Sequence, residues 1–271
     1  MSLLHRLFGV DKPIIAMLHL PAMPGRPRHD RAAGMGHLVD TVSRDIDALQ
    51  HAGVDGFLFC NEADLPYRIG VGPEAVAGMA AVIGQVRSTL TLPFGVNLVW
   101  DPLASLAVAR ATGAAFVREV FTGVFESDLG LMHPDFGAIA AYRQQIGAES
   151  VALFSNITPE FASTIGTRSV AERAHSATYL GVDAILISGQ LTGTSTSVRE
   201  LLEAKTAVPE MPVLANTGVR EDTIDEILAI ADGVLVGTSL KRDGVTWNSV
   251  DPERADRFMA VVQRVRGAVP V

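Results

Sequence analysis

Two short segments of the 271-residue chain hold the residues best suited to gripping an anion. Asn216-Thr217-Gly218 follows the apolar run Val213–Ala215, and Gly237-Thr238-Ser239-Leu240-Lys241 follows Gly233–Val236. Glycine lets a phosphate approach the backbone, and the first amides of a short helical turn aim free N–H groups at it. The hydroxyl-rich loop Gly189–Ser197 adds further donors, with Gly189, Gly193 and Thr194 placed to use them. Ordinary tight turns and helix caps would use the same residue types. Ser197-Val198-Arg199-Glu200 indeed has the form of a capping box.

Acid–base chemistry has fewer candidates. Glu119 closes the run Phe116–Glu119, and burial would raise its pKa towards that of a general base. Successive side chains on a strand point to opposite faces, so of Arg118 and Glu119 only one faces the interior. His19 closes Ile14–His19, while Asp64, Asn97 and Asn156 stand at or just past the ends of other runs. His19, Asp64 and Glu119 together could hold a divalent cation, although their spacing forms no motif and a lone histidine is often a hydrogen-bonded structural group. No other cofactor is implied. Only Lys12, Lys205 and Lys241 are present, and none ends a strand run, which disfavours a Schiff-base aldolase. Lys241 is expected beside the phosphate. Cys60, with no adjacent base, reads as an inert buried thiol. The stiff, basic loop Pro21–Arg31 reads as a lid or a subunit contact.

The elements that must position these residues alternate along the whole chain. Strand candidates are Ile14–His19, Gly56–Phe59, Phe94–Val99, Phe116–Glu119, Val151–Phe154, Ala184–Ile187, Val213–Ala215 and Gly233–Val236. They are short and apolar throughout, as parallel strands covered on both faces are. Between them lie helical stripes such as Leu38, Val42, Ile46, Leu49 and Phe258, Val261, Val262, Val265. Turns from helix to strand are terse: Ala52-Gly53-Val54-Asp55 and Leu180-Gly181-Val182-Asp183 place glycine just past a helix end. Turns from strand to helix are long and polar. That asymmetry predicts an α/β fold, a (β/α)8 TIM barrel forming a single domain over residues 1–271, with its working face at the carboxyl ends of the strands. A doubly wound open sheet is the alternative, but no G-x-G-x-x-G follows the first strand.

Composition narrows the partners. The charge of 22 − 30 = −8 argues against a sequence-independent grip on nucleic acid or an anionic membrane. One cysteine permits no intrachain disulfide. No apolar stretch reads as a signal peptide or a spanning segment, so a cytoplasmic protein without direct membrane insertion is expected, with room for a homo-oligomer.

The residues now quoted resemble the BtpA/SgcQ family. Ile15-Ala16-Met17-Leu18-His19-Leu20-Pro21-Ala22-Met23-Pro24-Gly25 is similar to its first strand and loop, and Asn61, Asp64 and Pro66 to its second-strand segment. Gly95-Val96-Asn97 with Asp101-Pro102 resembles its third. The stretch from Asp232 to Asn248 is the most specific match. The resemblance implies a barrel of the ribulose-phosphate-binding type. One branch of the family carries a photosystem I biogenesis role, and sugar-phosphate metabolism is associated with another. This chain departs from the pattern: Cys60 stands where the family usually has Glu, Glu62-Ala63 where it has Phe-Gly, and Glu119 where Asn is usual. Ser155–Phe161 replaces a segment that usually carries Asp, Lys and His. The phosphate end thus looks kept and the reactive end changed. Two readings follow. One is an isomerase- or lyase-like enzyme acting on a sugar or nucleotide phosphate, by proton transfer at Glu119, His19 and Asp64. The other is a non-enzymatic assembly or regulatory factor with a vestigial anion pocket.

Overall fold

Eight of the apolar runs lie parallel and close into a barrel. In the computed structural model of the chain, which describes residues 1–268, these are β1 (Ile14–His19), β2 (Gly56–Cys60), β3 (Phe94–Asn97), β4 (Phe116–Glu119), β5 (Ala152–Asn156), β6 (Ala184–Ile187), β7 (Val213–Ala215) and β8 (Gly233–Val236). They are hydrogen-bonded in that order, and β8 returns to β1 through the register Ile14 with Val234. The helices α1 (Leu3–Phe8), α2 (Gly34–Ala52), α3 (Pro73–Val86), α4 (Pro102–Thr112), α5 (Phe136–Gln145), α6 (Val170–Leu180), α7 (Val198–Ala207), α8 (Ile224–Ile230) and α9 (Pro252–Ala268) complete the chain. All but α1 wrap the barrel, as the alternating pattern predicts. No helix among the described residues is long and apolar enough to cross a membrane.

Strand alternation sorts the apolar side chains into two layers. Ile14, Ala16, Leu18, Phe57, Phe59, Val96 and Val117 point outward and meet the stripes Leu38, Val42, Ile46, Leu49 of α2 and Phe258, Val262 of α9. Ile15, Met17, Leu58, Phe116, Phe154, Leu186, Leu214 and Leu235 point inward and fill the barrel. Each such side chain contributes roughly 1.5–3 kcal/mol on burial. Leu4 and Phe8 of α1 close the amino-terminal end of the barrel. Phe116 stacks on Phe154 at 4.6 Å, and Phe8 meets Phe116 edge-on at 5.7 Å. A β-carbon at Gly95 would enter the Phe116 ring, which is why β3 carries glycine there.

The terse turns do more than reverse the chain. Asp55, Asp183 and Asp232, each just before a strand, accept from amides at the start of the preceding strands: Ile14 at 2.7 Å, Leu153 at 2.8 Å and Val213 at 2.8 Å. Arg266 pairs with Asp55 at 2.5 Å and Lys205 with Asp232 at 2.7 Å. The bottom rim is therefore laced by ion pairs, and its charges are structural.

Some boundaries differ from the sequence reading. β2 runs one residue further, to Cys60; β3 stops at Asn97; and β5 begins at Ala152 and runs to Asn156. Phe125–Ser127, Gly130–Met132 and Ala162–Thr164 form a small antiparallel sheet that grows from the loops after β4 and β5. Segments of three residues are too short to carry a legible period. The basic loop after β1 is pinned: the Met23 amide donates to Asp64 at 2.7 Å, Arg26 donates to the carbonyls of Asp64 and Pro66, and His29 bonds the Ala22 carbonyl at 2.8 Å.

Candidate functional site at the barrel mouth

At the carboxyl end of the strands the inward positions turn polar. β4 contributes Arg118, β3 Asn97, β5 Asn156 and β1 His19; Glu62 lies just past β2, Ser188 past β6, Asn216 past β7 and Glu160 beyond β5. Arg118 is the hub. Its Nη1 donates to Asn97 Oδ1 at 2.9 Å and its Nη2 to Glu160 Oε1 at 2.6 Å. Asn156 donates to Glu160 Oε2 and to Ser188 Oγ, both at 2.9 Å, and Asn216 donates to Ser188 Oγ at 2.7 Å. Thr192, from the loop after β6, donates to Glu62 Oε1 at 2.8 Å and spans the mouth. Tyr67, Trp100 and Phe161 wall the β3–β5 side, with Tyr67 6.3 Å from Trp100 and 6.0 Å from Phe161. Trp100 and Phe161 both hold a left-handed backbone, at φ 65° and 60°. Such strain in non-glycine residues collects at functional sites.

Electrostatics follow from the burial of these groups. Burial lowers the Arg118 pKa, but Glu160, Cys60, Glu62 and Glu119 outweigh it and keep the guanidinium charged. Burial, assisted by Lys241, pulls His19 down to about 3, so its imidazole is neutral at pH 7. Burial pushes the Cys60 thiol well up, consistent with an inert group between Glu62 and Asn97. Among the described residues six buried side-chain atoms have no hydrogen-bond partner, and three of them are at the mouth: Arg118 Nε, His19 Nδ1 and Asn216 Oδ1. All three belong to residues lining one cavity of about 40 Å³ beneath Thr192.

The other residues singled out from the sequence are placed differently. Glu119 turns from the mouth towards α4, where it meets Ser105 Oγ at 3.0 Å and Asn97 Nδ2 at 2.6 Å. Burial lifts its pKa to about 8, and it is also among the residues lining the cavity beside Trp100. Asp64 is a strut: it receives the Met23 amide and Asn61 Nδ2, and burial raises its pKa. Among the described residues no three His, Cys, Asp or Glu side chains are gathered as a metal site, so His19, Asp64 and Glu119 do not form the trio considered above. Lys241 is not beside the anion rim. It is buried against Asp45 of α2 at 2.6 Å, and Asp45 also accepts the Val250 amide. No lysine lines the mouth cavities. Glu160 and Glu62, which bracket Arg118, were missed by reading strand ends alone; their place in the segments that depart from the family pattern was the available signal.

The loops after β6, β7 and β8 meet at the rim. Gly193, Gly218, Gly237, Thr238 and Ser239 line one cleft of about 660 Å³, together with Arg220, Arg254 and Arg257. Gly193, Gly218, Gly237 and Thr238 also line the mouth cavity, so the two spaces adjoin. The glycines carry a second burden. A β-carbon on Gly189 would run into the Thr194 carbonyl, one on Gly218 into the Ser195 amide, and one on Gly237 would lie 2.8 Å from the His19 ring. Several hydroxyls are engaged within the chain: Thr217 accepts the Gly189 amide at 2.5 Å, Ser239 donates to the Val219 carbonyl at 2.8 Å, and Thr238 pairs with Thr246 at 2.9 Å. Thr194 is exposed and donates its amide back to the Leu191 carbonyl.

Comparison with known proteins places this geometry. By fold, the chain superposes on (S)-3-O-geranylgeranylglyceryl phosphate synthase from Thermoplasma acidophilum with a TM-score of 0.63 at 14% identity, covering 97% of this chain and 99% of that one. It superposes on thiamine phosphate pyrophosphorylase from Pyrococcus furiosus with a TM-score of 0.57 at 14% identity, over 94% and 96%. By sequence it is 43% identical to the sgc region protein SgcQ of Escherichia coli K12 over 98% of this chain and 100% of that one. It is 29% identical to the photosystem I biogenesis protein BtpA of Synechocystis, over 94% and 90%. The BtpA family model matches residues 10–264, and the chain belongs to the BtpA family.

Proposed function

We propose that the protein is an enzyme acting on a phosphorylated small molecule, with the phosphate at the rim and the reacting carbon at the mouth. The observation that carries this is the continuity of the two spaces: Gly193, Gly218, Gly237 and Thr238 belong both to the arginine-bearing cleft and to the cavity of Arg118, His19 and Glu160. A phosphate held by the rim amides and Arg254 puts the organic part of its ester against a carboxylate, a guanidinium and a neutral imidazole. That set suits proton transfer next to a carbonyl. Glu160, braced by Arg118 and Asn156, takes the proton; Arg118 faces the oxygen on which charge develops, and uncharged His19 stands beside them as a ligand-positioning group. Glu119 holds Asn97, and through it Arg118, from behind. The named fold neighbours support the phosphate, since both are named as enzymes of phosphate esters and one is bound to sn-glycerol-1-phosphate. Isomerase- or lyase-type chemistry without a Schiff base is the class we assign.

The test is thermal denaturation with sugar phosphates and inorganic phosphate. A ligand at one hundred times its Kd stabilises by about 2.7 kcal/mol, a rise of several degrees in Tm. No rise with any phosphate compound would remove the proposal.

A second reading, an assembly factor, is favoured by one feature. An apolar groove of about 470 Å³, lined by Phe121, Val124, Phe136, Ile165 and Leu180, lies away from the mouth beside the small sheet. Charged substitutions at Val124 and Ile165 that abolish association with other proteins while sparing phosphate binding would support it.

A further inference from the structure

We infer that the mouth is built to take an uncharged, hydroxyl-bearing end of the ligand and to turn away a carboxylate, an inference that rests on the phosphate-ester reading above. Its basis is the set of buried atoms left without partners. Of these, three belong to residues of the mouth: Arg118 Nε, a donor, Asn216 Oδ1 and His19 Nδ1. The orientation of the Asn216 amide is fixed by its neighbours: its nitrogen faces Ser188 Oγ and Glu160 Oε1, and a flipped amide would set oxygen against that carboxylate. The Thr246 carbonyl lies against the His19 ring, and Nδ1 has no partner, so the proton sits on Nε2 and Nδ1 is an acceptor.

One donor and two acceptors are thus carried by residues that line a cavity of about 40 Å³, room for one small group. Each is a buried polar atom that is costly to leave unpaired. A hydroxyl gives its proton to one acceptor and its oxygen to Arg118. Two adjacent hydroxyls satisfy all three atoms; a hydroxyl next to a carbonyl satisfies Arg118 and one acceptor. A carboxylate satisfies Arg118 alone and sets its oxygens against His19 Nδ1 and Asn216 Oδ1. An ammonium satisfies the two acceptors and leaves Arg118 Nε unpaired. For a carboxylate the charges point the same way. The cavity lining carries Glu62, Glu160 and Arg118, a sum of 1 − 2 = −1, and the guanidinium is already engaged by Glu160 at 2.6 Å. A second anion has no free cation to meet. Glu62 is the residue that sets this balance, since Glu160 is spent on Arg118 while Glu62 receives only the Thr192 hydroxyl at 2.8 Å and the weak Cys60 thiol.

Calorimetric titration of the full chain separates the alternatives, with inorganic phosphate, fructose 6-phosphate, 6-phosphogluconate and glucosamine 6-phosphate as probes. Fructose 6-phosphate is expected to bind at least about tenfold more tightly than inorganic phosphate, and 6-phosphogluconate no more tightly than inorganic phosphate. Glu62→Gln keeps the oxygen that accepts from Thr192 and removes the charge; it should improve 6-phosphogluconate binding by about tenfold and leave inorganic phosphate unchanged. Asn216→Leu should erase the advantage of fructose 6-phosphate. The inference is overturned if wild-type protein binds 6-phosphogluconate or glucosamine 6-phosphate as tightly as fructose 6-phosphate, or if Glu62→Gln, shown folded by its melting curve, leaves the ranking unchanged. Binding of inorganic phosphate with no preference among the esters overturns this inference alone. Binding of none of the four overturns the phosphate reading with it.

Discussion

Burial drives Glu119 and His19 in opposite directions, and the consequences for stability are opposite too. Glu119 has its pKa raised from 4.5 to about 8, so the folded protein holds a proton there that the unfolded chain releases. Its contribution is complete below pH 4.5 and is lost as pH rises through 8. His19 is lowered from 6.5 to about 3, so its contribution is complete above pH 6.5 and is lost as pH falls towards 3. The two slopes offset one another between pH 4.5 and 6.5 and separate above it. From pH 6.5 to 8 the wild-type protein should therefore lose on the order of 2 kcal/mol in urea denaturation. Glu119→Gln, which keeps the shape of the neutral acid, should flatten that decline; an unchanged slope would show that Glu119 is already ionised in the fold. The sequence made part of this legible. Alternation places Arg118 and Glu119 on opposite faces, but not which one faces inward. That is decided by Ser105, a helix residue fourteen positions earlier that offers Glu119 a hydroxyl behind the strand.

At the level of elements, helix α2 and the turn after β8 are joined by Asp45 and Lys241, a buried pair at 2.6 Å with both side chains nearly inaccessible. Removing one member leaves the other charge unpaired, so Asp45→Ala should cost about 3–5 kcal/mol, measured by urea denaturation. The double substitution Asp45→Leu with Lys241→Met should recover most of it, because an apolar pair of similar volume has no charge to desolvate. Failure of the double variant to recover would mean that the Asp45 bond to the Val250 amide carries the stability instead. The small helix α1 makes a parallel case at the other end of the barrel. Phe8→Ala should cost about 3–5 kcal/mol, since the ring fills space against Phe116, and it should leave phosphate binding at the rim untouched. The strands and the helical stripes were readable because each is a run whose period shows over one element. Helix α1, the Lys241 pair and the small sheet were not. Their partners lie far off in sequence: Leu4 and Phe8 meet residues from across the barrel, and Lys241 meets a helix 196 positions away.

For the whole molecule the instructive contrast is between a net charge of −8 and a rim cleft carrying Arg220, Arg254, Arg257 and Arg264 against Glu221 and Asp222. Composition argues against a basic face of the extent nucleic acid needs, and it could not show that four of the arginines meet at one place. That grouping is a product of closure: α9 follows β8 and packs against α8, which brings residues 254, 257 and 264 opposite 220 across the end of the ring. The acidic remainder repels an anionic ligand at long range while the cleft attracts it locally, so binding should depend on salt through the local field alone. Arg257 is the arginine to change. It is about half exposed and only loosely paired, at 4.0 Å from both Glu221 and Glu253, whereas Arg254 is fastened to the Ser239 carbonyl at 3.0 Å. Arg257→Glu should weaken inorganic phosphate several-fold at low ionic strength without changing the melting temperature of the free protein. The difference from wild type should shrink as salt is raised from 0.01 to 0.15 M, where the screening length falls from about 30 to about 8 Å. Equal affinities for the two proteins at 0.01 M would place the phosphate elsewhere, and the ring would then be a scaffold whose arginines serve only their neighbouring carboxylates.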